Sequence, residues 1–466
     1  MIKPITDEAY KLMHEGAKAL SIVEGNGIRI DIDYIERIIE QMDISIKNIE
    51  RKLKTQKIYK IWKKKYKNQF KFSSREQLGI TLFDEIGYES QGYTDPDAKK
   101  LRHKTDEEAL KSTGLKFVDV YLKMEQLKKA RGTYLKAILR ESDKGFLHPF
   151  FNLHLTQTYR SSSDHPNFQN IPVRDPKIAK LVRRCFIARK NHQIVEIDYG
   201  GAEICCATCY HKDPRMISYI KDKTKDLHRD MAAQCYILKR SEVDKQTRYC
   251  GKNMFVFPEF YGDYYLHCAK SLWKAISKLN LINSKTNEDL YTHLESQGIY
   301  KLGNSDGKDE PKKGTFQKHL KEVEEDFWSK RFKIYAKWKM DWWMDYREDL
   351  SFETLTGFLI KGVMTRKEVI NYPVQGSAFH WLLWSLIQVQ KQLKKYKMKS
   401  LIIGQIHDSI VGDVHKKELK NYLEICNETM TKSIHKHWPW IIVPLTVEAG
   451  VAPVGASWYD KKEYDL

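Results

Sequence analysis

Two short apolar runs, one ending in an aspartate and one turning on an aspartate, constrain this sequence more than any other feature. His192–Asp198 (HQIVEID) reads as a buried strand, and Leu401–Val414 (LIIGQIHDSIVGDV) as two strands with a tight turn at His407-Asp408. The two acids, Asp198 and Asp408, lie 210 residues apart. If both strands enter one sheet, the carboxylates can face each other and hold two Mg²⁺ ions, hard cations that favour carboxylate oxygen over His or Cys. Ions so held sit ~3.5–4 Å apart and stabilise both the attacking and the leaving oxygen of a phosphoryl displacement. Either aspartate alone reads more simply as a turn residue.

Cations lie between the acids along the chain. Asp226-Leu227-His228 precedes a helix, and Arg248 and Lys252, four apart, share a helix face. Such a pair suits a triphosphate, whose charge must be neutralised as pyrophosphate leaves, but it is also what an ordinary solvated basic face looks like. Charge enters the argument here: 80 Lys and Arg against 61 Asp and Glu give +19, which favours a polyanionic partner, most often nucleic acid. The 466 residues suggest about three domains or subdomains, and 41% hydrophobic with 12% aromatic residues excludes wholesale disorder.

The order of elements points to an α+β fold rather than a regular βαβ wind. To about residue 150 the chain reads as helical. Asp33 and Glu36 form an expected capping box, followed by one apolar face through Ile35, Ile38, Ile39, Met42, Ile46, Ile49 and Leu53. The basic stretch 54–71 interleaves lysines with Tyr59, Trp62, Tyr66 and Phe70, and reads either as an arm lying on phosphates or as an amphipathic helix with a solvated lysine face. A second helical pair ends in Tyr121–Leu139, residues 203–260 are helical, 280–315 is a less periodic insertion with a surface loop at 304–314, and 375–396 is a strong helix. Cys205, Cys206 and Cys209 lack a second ligand pair and read as buried thiols; eight cysteines at this length are no disulfide framework. No uncharged apolar run approaches the ~20 residues that span a bilayer, and the start MIKPITDE is no signal peptide, so an intracellular, soluble protein is expected.

The joint order of the motifs carries a resemblance. Thr158–Ser163 with Pro166–Pro172 resembles T-G-R-L-S-S…P-N-L-Q-N-I-P. Asp198–Glu203 (DYGGAE) resembles motif A, D-Y-S-Q-I-E. Arg248…Lys252…Phe257…Tyr261-Gly262 resembles motif B, and Asn371–Gly376 with Gln405–Asp408 resembles the closing motifs, the second being motif C. Phe72–Ser74, Gln77-Leu78, Leu82-Phe83, Lys128 and Thr133–Leu135 resemble the thumb. From about residue 15 to the C-terminus the chain thus resembles the polymerase region of family A DNA polymerases, the bacterial DNA polymerase I type found also in bacteriophages.

The resemblance implies a right hand with an antiparallel palm sheet and mostly helical thumb and fingers. The expected parts are a palm-associated segment at 1–29, a thumb at 30–145, palm at 146–204, fingers at 205–367 with the insertion at 280–315, and palm again at 368–466. It implies Asp198 and Asp408 as ligands of two Mg²⁺ ions, helped by the Tyr199 carbonyl. Glu203 would be the steric gate against a ribose hydroxyl. Arg248, Lys252 and His228 would hold the triphosphate, with Lys252 as general acid, and Phe257 and Tyr261 would stack on the incoming base and template side. Arg160, Asn167, Gln169, Asn371, Gln375 and His407 would contact primer and template, mostly from the minor groove, where purine N3 and pyrimidine O2 accept on every correct pair.

Three departures are visible. Gly200-Gly201 replaces Ser-Gln and is expected to loosen the backbone there. Ser409 stands where the family commonly has a third acid. Motif B carries one extra residue, so Phe257 is five steps from Lys252, ~140° off its face on an ideal helix. With Pro258 next, a bulge or kink is expected between Lys252 and Tyr261, with Val256 as rival for the stacking position. The thumb-like helices begin almost at the N-terminus, and Asp31-Ile32-Asp33 reads as a turn and cap, so no proofreading nuclease domain is expected and a separate nuclease partner is an open expectation. The expectation is a DNA polymerase extending primers with dNTPs. Its rivals are a single-subunit polymerase using NTPs or RNA templates, a catalytically inactive replication protein that binds nucleic acid, and an HD-type phosphohydrolase at His407-Asp408.

Overall fold

A computed structural model describes residues 3–95, 101–173 and 175–466. At its centre stands an antiparallel sheet of five strands: β1 (His192–Tyr199), β2 (Leu401–Ile406), β3 (Ser409–His415), β4 (Val447–Val451) and β5 (Lys462–Tyr464), in the order β5-β4-β1-β3-β2. The expected strands form where β-branched residues crowd, at Ile194-Val195-Ile197 and Ile402-Ile403, and the turn falls at His407-Asp408 as read from the sequence.

Around the sheet lie helices α1 (Asp7–Asn26), α2 (Ile32–Lys54), α3 (Lys57–Tyr66), α4 (Lys116–Lys129), α5 (Ala202–His211), α6 (Leu227–Cys235), α7 (Lys245–Gly251), α8 (Phe257–Phe260), α9 (Tyr265–Leu279), α10 (Phe316–Asp326), α11 (Lys333–Asp349) and α12 (Arg366–Lys395). The sheet backs onto α12: the Tyr199 phenol shares a hydrogen bond with Ser385 Oγ at 2.9 Å and packs near Trp381. Because side chains alternate along a strand, Asp198 points to the opposite face.

The hydrophobic core is divided. The main cluster joins the sheet, α1, α12 and the helices between α5 and α11, and takes in Ile35 and Met42 from the near half of α2. A second cluster gathers Ile46 and Leu53 from the far half of α2 with Tyr59, Trp62, Leu78, Phe117 and Tyr121. Here Trp62 meets Phe70, Phe72 and Tyr121 at 5.2–5.9 Å between ring centroids. The aromatic side of α3 is therefore core. Its lysines are exposed, and of Lys57, Lys60, Lys63, Lys64, Lys65 and Lys67 only Lys65 has an acidic partner, Glu85, among the described residues.

Two boundaries differ from the sequence reading. The cap of α2 is Asp31, whose Oδ1 accepts Tyr34 N–H at 2.9 Å; Asp33 already lies in the first turn, so the Asp33–Glu36 box does not form. Helix α12 begins at Arg366, not 375, behind a capping box of Thr365 and Glu368. Pro373 sits inside it. A proline has no N–H for the carbonyl four residues back, and that carbonyl, of Val369, accepts the Trp342 indole N–H at 3.1 Å instead.

Candidate functional site

The centre of the site is set by strand register. On one side of β1, β3 places Ser409 opposite Asp198; on the other, β4 places Glu448 opposite it. Asp408 immediately precedes Ser409, and its carbonyl accepts the Tyr199 N–H at 3.3 Å. The two aspartates meet at one end of the β1–β3 ladder. Burial first, then the charge of Asp408 and a hydrogen bond with its carboxyl, holds Asp198 well above the usual carboxylate range. Its Oδ1 is buried with no hydrogen-bond partner.

A divalent cation would relieve this arrangement, because adjacent buried carboxylate oxygens are costly unless a positive charge balances them. Among the described residues, no group of three or more His, Cys, Asp and Glu converges as a metal cage. The donors present are two carboxylates and main-chain oxygen, a hard and incomplete set that suits Mg²⁺ completed by water and substrate. The third acid is absent: Ser409 is buried, and its hydroxyl donates to the Ile406 carbonyl at 3.0 Å.

Across a cavity from Gly200 and Gly201, which follow Asp198 and Tyr199 in the chain, stands a wall built by α6 and α7. Asp226 caps α6, its Oδ1 accepting Arg229 N–H at 3.0 Å. The two helices touch at Gly251, where a Cβ would lie 2.7 Å from both the His228 carbonyl oxygen and Ala232 Cβ. That close approach brings His228 beside Arg248 and Lys252. Burial, then the charges of Arg248 and Lys252, push His228 down to about 4, so it is neutral near pH 7 and offers a hydrogen bond rather than charge. This corrects its expected place in a cluster of cations. Arg248 donates from Nε to Asp226 Oδ2 at 2.6 Å. Burial would raise Asp226, but the bonds from Arg248 and Arg229 and the charges beside it outweigh that and keep it below its ordinary value. A cavity of about 430 Å³ opens here, lined among others by Gly200, Gly201, Lys223, Asp226, His228 and Arg248.

The extra residue of motif B is absorbed by a π-helical turn, Lys252–Val256, in which Phe257 N–H donates to the Lys252 carbonyl. Five steps in such a turn close one revolution, so Phe257 stays on the lysine's face, with Lys252 Nζ 5.2 Å from its ring. Val256 is fully buried, which removes it as the rival. Tyr261 follows at the end of α8, and its hydroxyl donates to Glu203 Oε2, while Arg160 Nη1 lies 3.4 Å from Glu203 Oε1. Glu203 stands in the first turn of α5, behind Gly201 at φ +68°. Gly200 does not loosen the backbone as expected: its N–H donates to the Thr446 carbonyl at 2.8 Å, and a Cβ there would meet Thr446 Oγ1 at 2.5 Å.

Remaining candidates flank this group. Gln169 Nε2 donates to Gln405 Oε1 at 2.7 Å and Ser161 Oγ at 2.8 Å, and Gln405 Nε2 donates to the His407 carbonyl at 2.7 Å. His407 has φ 49°, and burial followed by the Arg160 charge lowers it from its ordinary value. Asn371 Nδ2 donates to the Tyr261 carbonyl at 3.2 Å, and Gln375, half-buried, lies one helical turn further along α12. Asn167 caps the short turn at 168–170 through Asn170 N–H at 3.1 Å.

The model of DNA polymerase family A matches residues 34–280 and 360–460. The chain belongs to DNA polymerase family A. It is 26% identical to DNA polymerase I of Bacillus subtilis (strain 168) over 458 residues, covering 96% of this chain and 45% of that protein. It is 25% identical to the thermostable DNA polymerase I of Thermus aquaticus over 95% of this chain and 47% of that one. Against the DNA polymerase of Bacillus phage SP01 the identity is 26%, over 80% of this chain and 39% of that one. The chain thus spans under half the length of these curated relatives. Its fold matches the POL domain of Pol1 from M. smegmatis, solved in complex with DNA primer-template and dNTP, with a TM-score of 0.74 and 21% identity over 96% of this chain and 70% of that one. The family A right-hand architecture, α+β with an antiparallel palm sheet, is therefore present.

Within this family A chain the predicted residues fall into neighbouring sets. Asp198 meets Asp408, Glu203 is joined to Tyr261 and Arg160, His407 feels the charges of Arg160, Asp408 and Glu203, and His228, Arg248, Lys252 and Phe257 share the wall of α6 and α7 with the start of α8. Tyr199 differs: its side chain is buried behind the sheet, so only its main chain can face a nucleotide or ion. Three residues were given no role by the sequence reading. Gln405, quoted there only within motif C, is a buried polar break in an apolar strand, and that break was its signal. Asp226 was seen only as leading a helix. Lys223, exposed and without an acidic partner among the described residues, was one of three alternating lysines before Asp226. Cys205, Cys206 and Cys209 are free and buried, as expected. Among the described residues no helix is long and apolar enough to cross a membrane.

Proposed function

We propose that this chain is a DNA-directed DNA polymerase, adding dNTPs to a primer 3′-hydroxyl on a DNA template. The observation that carries the reading is the register Ser409↔Asp198 with the Tyr199 N–H to Asp408 carbonyl bond, which brings two acids from distant parts of the chain together at one end of a strand ladder. Two Mg²⁺ ions, when bound, would lower the pKa of the attacking hydroxyl and neutralise charge on the reacting phosphate.

In this reading Asp198 and Asp408 hold the ions, with the Tyr199 carbonyl as a further donor. Arg248 and His228 hold the triphosphate, and Lys252 gives a proton to the leaving pyrophosphate. Glu203, fixed by Tyr261 and Arg160, crowds the sugar C2′ and excludes ribose. Phe257 and Tyr261 stack at the base and template side. Arg160, Asn167, Gln169, Asn371, Gln375 and His407 contact primer and template near the terminus. The segments 30–145, 205–367 and 146–204 with 368–466 act as thumb, fingers and palm.

The test is primer extension with Mg²⁺ and dNTPs. Asp198→Asn and Asp408→Asn should each lower the rate by roughly three orders of magnitude or more, with duplex binding retained. Extension that survives in both variants removes the metal assignment.

A further inference from the structure

The Arg248 guanidinium is held by one corner. Its Nε donates to Asp226 Oδ2 at 2.6 Å, and its two terminal nitrogens have no protein partner among the described residues. Asp226 is itself fixed. Its Oδ1 accepts Arg229 N–H at 3.0 Å, its carbonyl accepts Asp230 N–H at 2.9 Å, and Arg229 Nε lies 3.9 Å from Oδ2. Arg229 is anchored in turn to the Val243 carbonyl, just before α7. The α6 N-terminus, the 243–244 turn and α7 are thus tied together around one carboxylate.

A carboxylate lining a cavity for phosphates would by itself repel them. Here it faces Arg248 through a short charge-assisted bond, and Lys223 and Lys225 line the same cavity. A free arginine side chain carries substantial rotamer entropy, which binding would otherwise remove. Held by Nε, the planar fork has little left to lose when its terminal nitrogens meet phosphate oxygens.

We propose that Asp226 is a positioning residue for nucleotide binding: it clamps Arg248 at Nε and presents the two terminal nitrogens to the triphosphate. This rests on the reading of the cavity as the dNTP site.

The test separates this clamp from the helix cap. Asp226→Ser keeps a good N-cap but cannot reach Arg248 as a carboxylate does, and Asp226→Glu keeps the charge. The dNTP KM should rise about tenfold in Asp226→Ser with kcat changed far less, since the loss falls on binding, and Asp226→Glu should recover most of it. In an Arg248→Ala background, Asp226→Ser should add nothing further. Calorimetric binding of inorganic tripolyphosphate to the full chain gives the same comparison without turnover.

A KM that falls in Asp226→Ser, because the carboxylate competes with phosphate, overturns the proposal. So does an unchanged KM, or the same loss with and without Arg248. If the wild-type chain fails to extend a primer, the polymerase reading falls on its own, and the tripolyphosphate comparison still judges Asp226.

Discussion

Glu203 takes a hydrogen bond from the Tyr261 hydroxyl on one oxygen and lies near the Arg160 guanidinium on the other. Its carboxylate therefore has one defined place, and a steric role needs that place to be kept. Glu203→Ala should raise NTP incorporation relative to dNTP by one to two orders of magnitude, and Tyr261→Phe, which frees the carboxylate without removing it, should raise it by less. Primer extension with matched dNTP and NTP concentrations measures both; unchanged selectivity in Glu203→Ala removes the gate. The acids of this site were legible because each sits at the end of an apolar strand, where a charge is conspicuous. The state of His228 was not, since it depends first on burial and then on two cations brought alongside by helix contact at Gly251. Asp226 was illegible for the same reason: its partner lies 22 residues away on another helix.

At the level of elements, the π turn at Lys252–Val256 carries an additional residue without rotating the helix beyond it. Asn253 is exposed within it and only donates back to the Tyr249 carbonyl. Deleting Asn253 should convert the turn to an ordinary α-helical one and leave Phe257 above Lys252. We expect the melting temperature to change by no more than a few degrees and dNTP KM by less than about tenfold. Deleting Cys250 instead should turn Arg248 by about 100° relative to the helix beyond it, away from Asp226, and raise dNTP KM well beyond tenfold. The odd spacing announced this turn in the sequence. The start of α12 was not read, although Thr365 and Glu368 spell its capping box, and the Val369 carbonyl that Pro373 leaves free finds the Trp342 indole only across the fold.

For the molecule as a whole, buried histidines set the acid limit. His211 and His380 are pushed down to about 3, in both cases by burial first. Unfolded, each returns to ~6.5, so between pH 6.5 and 3 the unfolded chain binds more protons and stability falls as pH falls, by up to ~1.4 kcal/mol per unit for each histidine. Denaturant unfolding across this range should show a slope shallower by about one proton in His380→Asn than in the wild type; equal slopes would show that the folded protein already accepts that proton. The strand ladder that joins Asp198 to Asp408 also divides the chain by its tolerance of length. One codon added within 192–199 or 409–415 would turn every later side chain of that strand to the wrong face, whereas the stretch between 280 and 315 meets no such parity rule. Variants of this chain selected for activity should therefore collect insertions around the surface loop at 304–314 and none in the two strands, a pattern that a library of random single-codon insertions would expose directly.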